Sequence, residues 1–390
     1  MQHSYYSATQ IHDGHKWLPE GSIVELDASG TVAAIHGKGT VPDEKARHYE
    51  GILCPGFVNA HCHVELSHMP GIIPEATGLV GFLQAVMAQR NNATEEVRKA
   101  AIAKALAQMK ANGIVAVGDI ANGTDTLAYR PLCGLHIHTF VEAMGFADEG
   151  VEARFAWPQK VYEAFKNSMV EGGTCRYSQS IVPHAPYSVS ERMFGLINRH
   201  EETAILSIHN EETAGENEYY RNKTGKMQEL YAALKIDPSF FKAGGKTSLQ
   251  TYLPYLSPAH PLILVHNTFM EQEDLRFLRA DKRNVFLCLC PNANWYIERR
   301  MPPVMHMLES GLPICLGTDS LASNNELSIW AEVQMLQRHF PQLGLELLLH
   351  WATYNGAKAL DLEHLVGSLA QGMRPGLVYI DKAGHIGVLA

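Results

Sequence analysis

The triplet His61-Cys62-His63 follows the apolar run Gly56-Phe57-Val58 and sets two imidazoles two residues apart. On a strand that spacing turns both rings to one face, and neutral imidazole is a good ligand for zinc or ferrous iron. Alone, such a pair is weak evidence for a metal, because a histidine after an apolar run is more often a satisfied core or surface residue. This pair has company. His209 ends the run 204–208, His266 ends 262–265, and Asp319 closes 314–318. Five residues of ligand type at four strand-like ends imply one shared divalent metal centre. A bridged two-metal site needs a further anionic ligand such as a carboxylated lysine, and the segment 177–182 contains no lysine. A single ion is expected.

Hydrolysis at such an ion needs an acid and a base. Glu212 stands three residues after His209 in His209-Asn210-Glu211-Glu212, an offset that can return its carboxylate to the site as strand gives way to loop. Glu211 is a rival for that role, and a solvated loop residue is the plain alternative. Asp319 supplies the second carboxylate. Glu65 lies two beyond His63 and can face a substrate or serve a structural hydrogen bond. His68, Glu142, Asn292, Asn294, Trp295 and Asn324 sit just past apolar runs and are pocket candidates. Trp295 and Tyr296 could stack on a planar ring. His63-Val64-Glu65 imitates half of a nucleobase-deaminase zinc signature, but that site needs a downstream PCxxC pair. The chain has Cys288-Leu289-Cys290-Pro291 instead, read as two core cysteines on one strand face.

Positioning these groups requires a repeating scaffold. Up to about residue 54 the chain shows short alternating runs, such as 22–26 and 31–35, between Gly, Asp and Ser turn signals, as in a small β module. From residue 52 apolar strand-like runs alternate with helical stretches, which is the pattern of βα units on a parallel sheet. The clearest helix spans 94–111, stopped by Asn112-Gly113. Strands are predicted at 56–61, 114–119, 135–142, 177–183, 205–209, 262–266, 285–290 and 314–318. Eight parallel strands predict an α/β fold of the TIM-type (β/α)8 barrel class, with reactive groups at the C-terminal strand ends. A last helix at about 344–360 precedes short apolar runs at 367–380 that are expected to rejoin the first module. The predicted division is 1–54 plus 365–390 as a discontinuous β-sandwich module, and 55–364 as the barrel.

At this point the motifs PGFVNAHCH (55–63), VPHAPYSVS (182–190), HNEE (209–212), VHN (265–267), CPNAN (290–294) and GTDSLASNNE (317–326) resemble the amidohydrolase superfamily, in its deaminase and chlorohydrolase branch. The resemblance covers nearly the whole chain in the family's order. It implies metal ligation by His61, His63, His209 and Asp319, with His266 beside the activated water and Glu212 as proton shuttle. It also implies that His184 contacts substrate or leaving group. The tail Gly372-Met373-Arg374-Pro375-Gly376-Leu377 departs from the family by lacking the acidic residue usual before the last strands. The implied reaction is hydrolytic deamination of an aminated heteroaromatic ring, a purine, nucleoside-like or pterin compound. Asp319 takes the water proton, His266 orients the nucleophile and Glu212 protonates the ring nitrogen. The runner-up is a cyclic-amide or chloro-substituent hydrolase with the same centre. A binding protein that merely kept the barrel would have lost a ligand or the shuttle acid, and neither is lost.

Bulk properties agree. With 32 Lys and Arg against 41 Asp and Glu, the formal charge is −9, which disfavours nucleic acid and anionic membrane as partners. A small-molecule substrate is expected, with a homodimer as an open option. The first residues lack a basic start and apolar core of signal type, and seven scattered cysteines read as reduced thiols. A cytoplasmic setting is expected, with zinc as the cofactor and ferrous iron as the alternative.

Overall fold

The computed structural model describes residues 3–168 and 173–390. Four strands come first: β1 (Ser4–Ile11), β2 (Ile23–Leu26), β3 (Val32–His36) and β4 (Ala46–Pro55). Eight more follow: β5 (Phe57–Cys62), β6 (Ile114–Ala121), β7 (His136–Ala143), β8 (Tyr177–Pro183), β9 (Leu206–Asn210), β10 (Leu262–His266), β11 (Val285–Leu289) and β12 (Ile314–Leu316). The chain ends with β13 (Leu377–Asp381) and β14 (Ile386–Val388). Each of the eight predicted strand segments coincides with one of β5 to β12, with ends differing by two residues or fewer.

The terminal strands form one six-stranded sheet, ordered β14-β13-β4-β1-β2-β3. Strand β1 runs parallel to β4, and the other neighbours are antiparallel. The tail therefore rejoins the N-terminal strands, with Leu377 opposite Pro55 and Asp381 opposite Gly51. This sheet has its own apolar cluster, built from Tyr6, Ile11, Val24, Val32, Leu53 and Leu377 among others. The predicted runs at 22–26 and 31–35 correspond to β2 and β3. Strands β1 and β4 carry too many polar residues for periodicity alone to single them out.

The remaining strands form two parallel four-stranded sheets, β5-β6-β7-β8 and β12-β11-β10-β9, with helices in the connections. This is an α/β fold. Parallel strands covered on both faces should read as unbroken apolar runs, and every residue of β10 and β11 is buried. The outer edges of the half-sheets meet through single hydrogen bonds. On one side the Ser180 hydroxyl donates to the Ile205 carbonyl at 2.7 Å and the His209 amide to the His184 carbonyl at 3.0 Å. On the other, Asn59 Nδ2 donates to Thr318 Oγ1 at 2.7 Å and the Thr318 amide to the His61 carbonyl at 3.1 Å.

The helix predicted at 94–111 runs over Glu95–Ala111, capped by Thr94, whose side chain accepts from the Val97 amide. The helix predicted at 344–360 consists of Leu345–His350, a wider π-type turn Trp351–Asn355, and Gly356–Ala359. Among the described residues no helix is long and apolar enough to cross a membrane.

One close approach governs the site. A methyl group at Gly317 would lie 2.8 Å from the His61 carbonyl oxygen, 2.9 Å from His61 Cβ and 3.1 Å from Cys288 Sγ. The neighbours are backbone and buried side chain, so they cannot yield cheaply. Gly317→Ala is expected to cost about 1–3 kcal/mol, a fall in Tm of roughly 2–6 °C, together with reduced metal content because His61 is displaced. Calorimetry and metal analysis of the purified variant check both; an unchanged Tm would mean that β12 has slack over His61.

Candidate functional site

The C-terminal ends of β5, β9, β10 and β12 deliver five donor side chains to one place. His61 and His63 flank the end of β5, His209 belongs to β9, His266 ends β10, and Asp319 follows β12 by three residues. His63 Nε2 lies 3.2 Å from His209 Nε2 and 3.4 Å from Asp319 Oδ1. His61 Nε2 lies 3.6 Å from the same Asp319 oxygen. His61, His63 and Asp319 each bring one donor atom within 4.8 Å of the others, as do His61, His209 and His266.

These spacings fit a metal ion. Donors about 2.0–2.2 Å from one ion, at near-tetrahedral angles, lie roughly 3.2–3.6 Å from each other. His61 gives a second observation: the residue has no exposed surface, and neither ring nitrogen has a hydrogen-bond partner. Orphaned buried donors and acceptors are costly unless something satisfies them, and an ion would satisfy Nε2. His209 Nδ1 is 2.7 Å from the His184 carbonyl oxygen, so it carries the proton and leaves Nε2 as a bare lone pair. A ring N–H on a backbone carbonyl is the usual way a ligand imidazole is oriented. Burial lowers the pKa of His61, His209 and His266 and takes His63 to about 3. The rings are therefore neutral and available as ligands.

Two carboxyls face this cluster with their protonation pushed in opposite directions. Glu212 is raised well above the usual carboxylate range by burial, and then by the charges of Asp319 and Glu298. Asp319 is buried too, which works to raise it, but the imidazoles of His61, His63 and His266 gathered around it hold it below its ordinary value. Glu212 Oε1 lies 3.6 Å from His266 Nε2. The Ser323 hydroxyl donates to the other Asp319 oxygen at 2.5 Å. Paired carboxyls with separated pKa values mark an acid and a base.

The cluster opens into a cavity of about 420 Å³, whose walls include His63, Glu65, Glu142, His184, His209, Glu212, His266 and Asp319. Its apolar lining includes Leu79, Phe82, Val86, Phe146, Leu230 and Tyr231. His184 Nδ1 pairs with Ser188 Oγ at 2.7 Å. Glu65 accepts from Arg90 at 2.8 Å and from both nitrogens of Asn122, and Asn122 also donates to Glu142 at 2.8 Å. Burial raises Glu142 to about 8. Arg90, directly after the helix Gly78–Gln89, and Asn122, directly after β6, also line the cavity and were not picked out from the sequence.

Other expectations require correction. His68 pairs with the Arg90 carbonyl at 2.9 Å and is not part of the cavity wall. Trp295 packs against His339, with Arg299 over its ring, on the outer side of the helix Pro291–Glu298. Asn324 turns inward, donating to the Thr318 carbonyl at 2.9 Å and to Glu332 at 2.8 Å. Tyr296 donates to the Ile73 carbonyl rather than stacking in the cavity. Glu211, the rival to Glu212, points away from the cavity and accepts from Asn217 at 2.9 Å.

Comparison with known proteins was made on this geometry. The amidohydrolase family pattern matches residues 52–389. An adenosine deaminase of Helicobacter pylori is 29% identical over 329 residues, which is 83% of this chain and 78% of that protein. The crystal structure of Helicobacter pylori aminofutalosine deaminase in complex with methylthio-coformycin superposes with a TM-score of 0.77 at 24% identity, covering 97% of this chain and 92% of that one. An adenosine deaminase from Xanthomonas campestris, solved with bound zinc, gives 0.72 at 20% identity, covering 97% and 84%.

Glu332 is a structural carboxyl that sequence reading missed. One oxygen accepts from the Asn292 amide at 2.8 Å, the other from Asn324 at 2.8 Å, and burial raises its pKa to about 8. Unfolded, it ionises near 4.3; folded, it keeps its proton until about 8, so its contribution to stability falls as pH rises across that window. Glu332→Gln keeps a neutral side chain at every pH but loses one acceptor. Its Tm deficit against the parent is therefore expected to be larger at pH 5.5 than at pH 8. Paired thermal scans at the two pH values check this, and a deficit that grows with pH would reverse the assigned protonation.

Proposed function

Because the chain belongs to the amidohydrolase family, we propose that it hydrolytically deaminates an aminated heteroaromatic ring, a purine, nucleoside-like or pterin compound, releasing ammonia. One observation carries the reading: Glu212 and Asp319 face the same imidazole cluster, whose donor atoms lie at metal-binding spacings, with burial pushing the first carboxyl up and the imidazoles around the second holding it down. The cavity supports it, since its lining combines the polar cluster with enough apolar surface for a planar ring with a sizeable substituent.

His61, His63, His209 and Asp319 would hold one divalent ion, zinc by preference and ferrous iron as the alternative. When bound, such an ion lowers the pKa of a water from about 16 to about 7–9, making a nucleophile available at neutral pH. Asp319 accepts the water proton and returns it to the departing amino group, which leaves as ammonia. His266, whose Nε2 lies 3.6 Å from Glu212 Oε1, offers that nitrogen to orient the attacking oxygen. Glu212, whose proton is held more tightly because of burial, delivers it to the ring nitrogen next to the attacked carbon, which stabilises the charge developing there. His184, Glu65 and Glu142 hold the substrate. Its Ser188 partner leaves His184 Nε2 free for that contact.

The finer architecture belongs to the same reading. The two four-stranded halves are taken as one eight-stranded TIM-type barrel over 55–364. The six-stranded terminal sheet, bent at irregularities in β1 and β2, serves as the small sandwich-type module of 1–54 plus 365–390. Seven free cysteines accord with a reducing, cytoplasmic setting. Cyclic-amide or chloro-substituent hydrolysis remains the second reading, because the same acid, base and ion serve it.

Glu212→Gln is expected to lower kcat by roughly 10²–10⁴-fold with metal content unchanged. Stopped assays of ammonia release from adenosine-like purines, pterins and cytosine check the substrate class. Turnover retained in Glu212→Gln would remove the shuttle role; no ammonia from any aminated ring would move the reading to the second class. Chelation should abolish turnover, and zinc should restore it.

A further inference from the structure

Asn294 belongs to the first turn of the helix Pro291–Glu298, which begins directly after β11. The residue is 2% exposed. Its side-chain Oδ1 lies 2.8 Å from His266 Nδ1. An amide oxygen can only accept, so in this pairing the ring proton sits on Nδ1. A neutral imidazole carries one N–H, so Nε2 then presents a lone pair, and it is Nε2 that faces Glu212.

The other end of the amide tells the same story. Asn294 Nδ2 is buried and has no partner. A buried asparagine kept for packing or helix support would use its donors as well, since unpaired buried N–H groups are costly. This one spends only its acceptor, on His266. The His266 backbone is also held at φ +71°, a conformation unusual for a side chain other than glycine's. The ring's direction is thus fixed at two points, its backbone and its Nδ1.

We infer that Asn294 is a positioning residue for the proposed reaction, selecting the Nδ1–H tautomer of His266 so that Nε2 meets the attacking water as an acceptor. The inference rests on the proposed deamination for its kinetic consequence but not for the tautomer itself. Without an acceptor at Nδ1, the ring proton moves to Nε2, and the same imidazole turns a donor toward the cavity. The ring would be in place with the wrong polarity.

Asn294→Leu keeps the volume and removes the acceptor; Asn294→Asp keeps the acceptor. In the metal-loaded enzyme Asn294→Leu is expected to lower kcat by about 10- to 100-fold, with KM within roughly threefold and metal content unchanged. Asn294→Asp should recover most of that loss. Nitrogen NMR of histidine-labelled protein, with His266 assigned by its Gln variant, should show Nδ1–H in the parent and Nε2–H in Asn294→Leu. That arm needs no substrate and works on the parent alone if the leucine variant does not fold. Nε2–H in the parent overturns the inference, as does undiminished kcat in Asn294→Leu. If no aminated ring is turned over while the parent shows Nδ1–H, the deamination reading fails and the positioning assignment stands.

Discussion

Everything in this molecule depends on keeping a knot of nitrogen and oxygen donors dry where two half-sheets meet. Removing imidazoles from water disfavours their charged form, and burial takes His63 to about 3 and His184 to about 4. The unprotonated ring is the form that binds metal. The same burial makes each unsatisfied nitrogen expensive, by about 1–3 kcal/mol, and His61 has two of them. A cluster like this persists only if the surrounding fold over-determines it. The positive φ angles of His266 and Asp319, +71° and +55°, are signs of that constraint, since such backbone is held by its surroundings and not by its own preference.

The charge around the knot follows from the same burial. Glu142 and Glu332 are raised to about 8 and Asp119 to about 7, in each case chiefly by desolvation. Glu212 is raised as well, again chiefly by burial. Glu65, by contrast, is tied to Arg90. Among these buried carboxyls Asp319 alone is pushed down. A site of neutral imidazoles and one firmly ionised carboxylate has a single negative charge at its centre, which a cation complements. The surrounding neutral acids can donate protons without adding repulsion. Acid, base and ion site are therefore consequences of one gradient of solvation.

The strand-end residues were legible because a parallel strand buried on both faces leaves an unbroken apolar signature, and the residue that ends the run faces the mouth. His61, His209, His266 and Asp319 could be read that way. Residues past the strand end could not, because a loop's direction is set by tertiary partners. His68 and Asn324 turn away from the cavity for that reason, as does Trp295 on its helix, while Glu65 faces it, and Glu142 faces it from within β7. Glu211 and Glu212 show the limit most sharply: adjacent carboxylates, one taken by the Asn217 side-chain amide, the other left to the cavity. Glu332 did leave a trace. It shares the buried face of the helix Ile329–His339 with Ile329, Val333 and Leu336, and an acidic residue in an apolar stripe asks for a partner. Its partners lie 40 and 8 residues away. Periodicity flags the need but cannot supply those distances.

The seams explain why the donors converge at all. Neither pair of outer edges carries a regular ladder, and at each seam one carbonyl oxygen does double duty. The His61 carbonyl accepts from the amides of both Thr318 and Asp319, at 3.1 and 3.2 Å. The His184 carbonyl lies 3.0 Å from the His209 amide and 2.7 Å from His209 Nδ1. The first bond set ties β5 to β12 through two residues of the cluster. The second ties β8 to β9 while choosing the tautomer of a third. Joining the half-sheets and aiming the donors are thus the same hydrogen bonds. A change that loosened either seam would misplace the cluster before it unfolded the sheets, and Gly317, with no room for a methyl beside His61, stands at the first of the two.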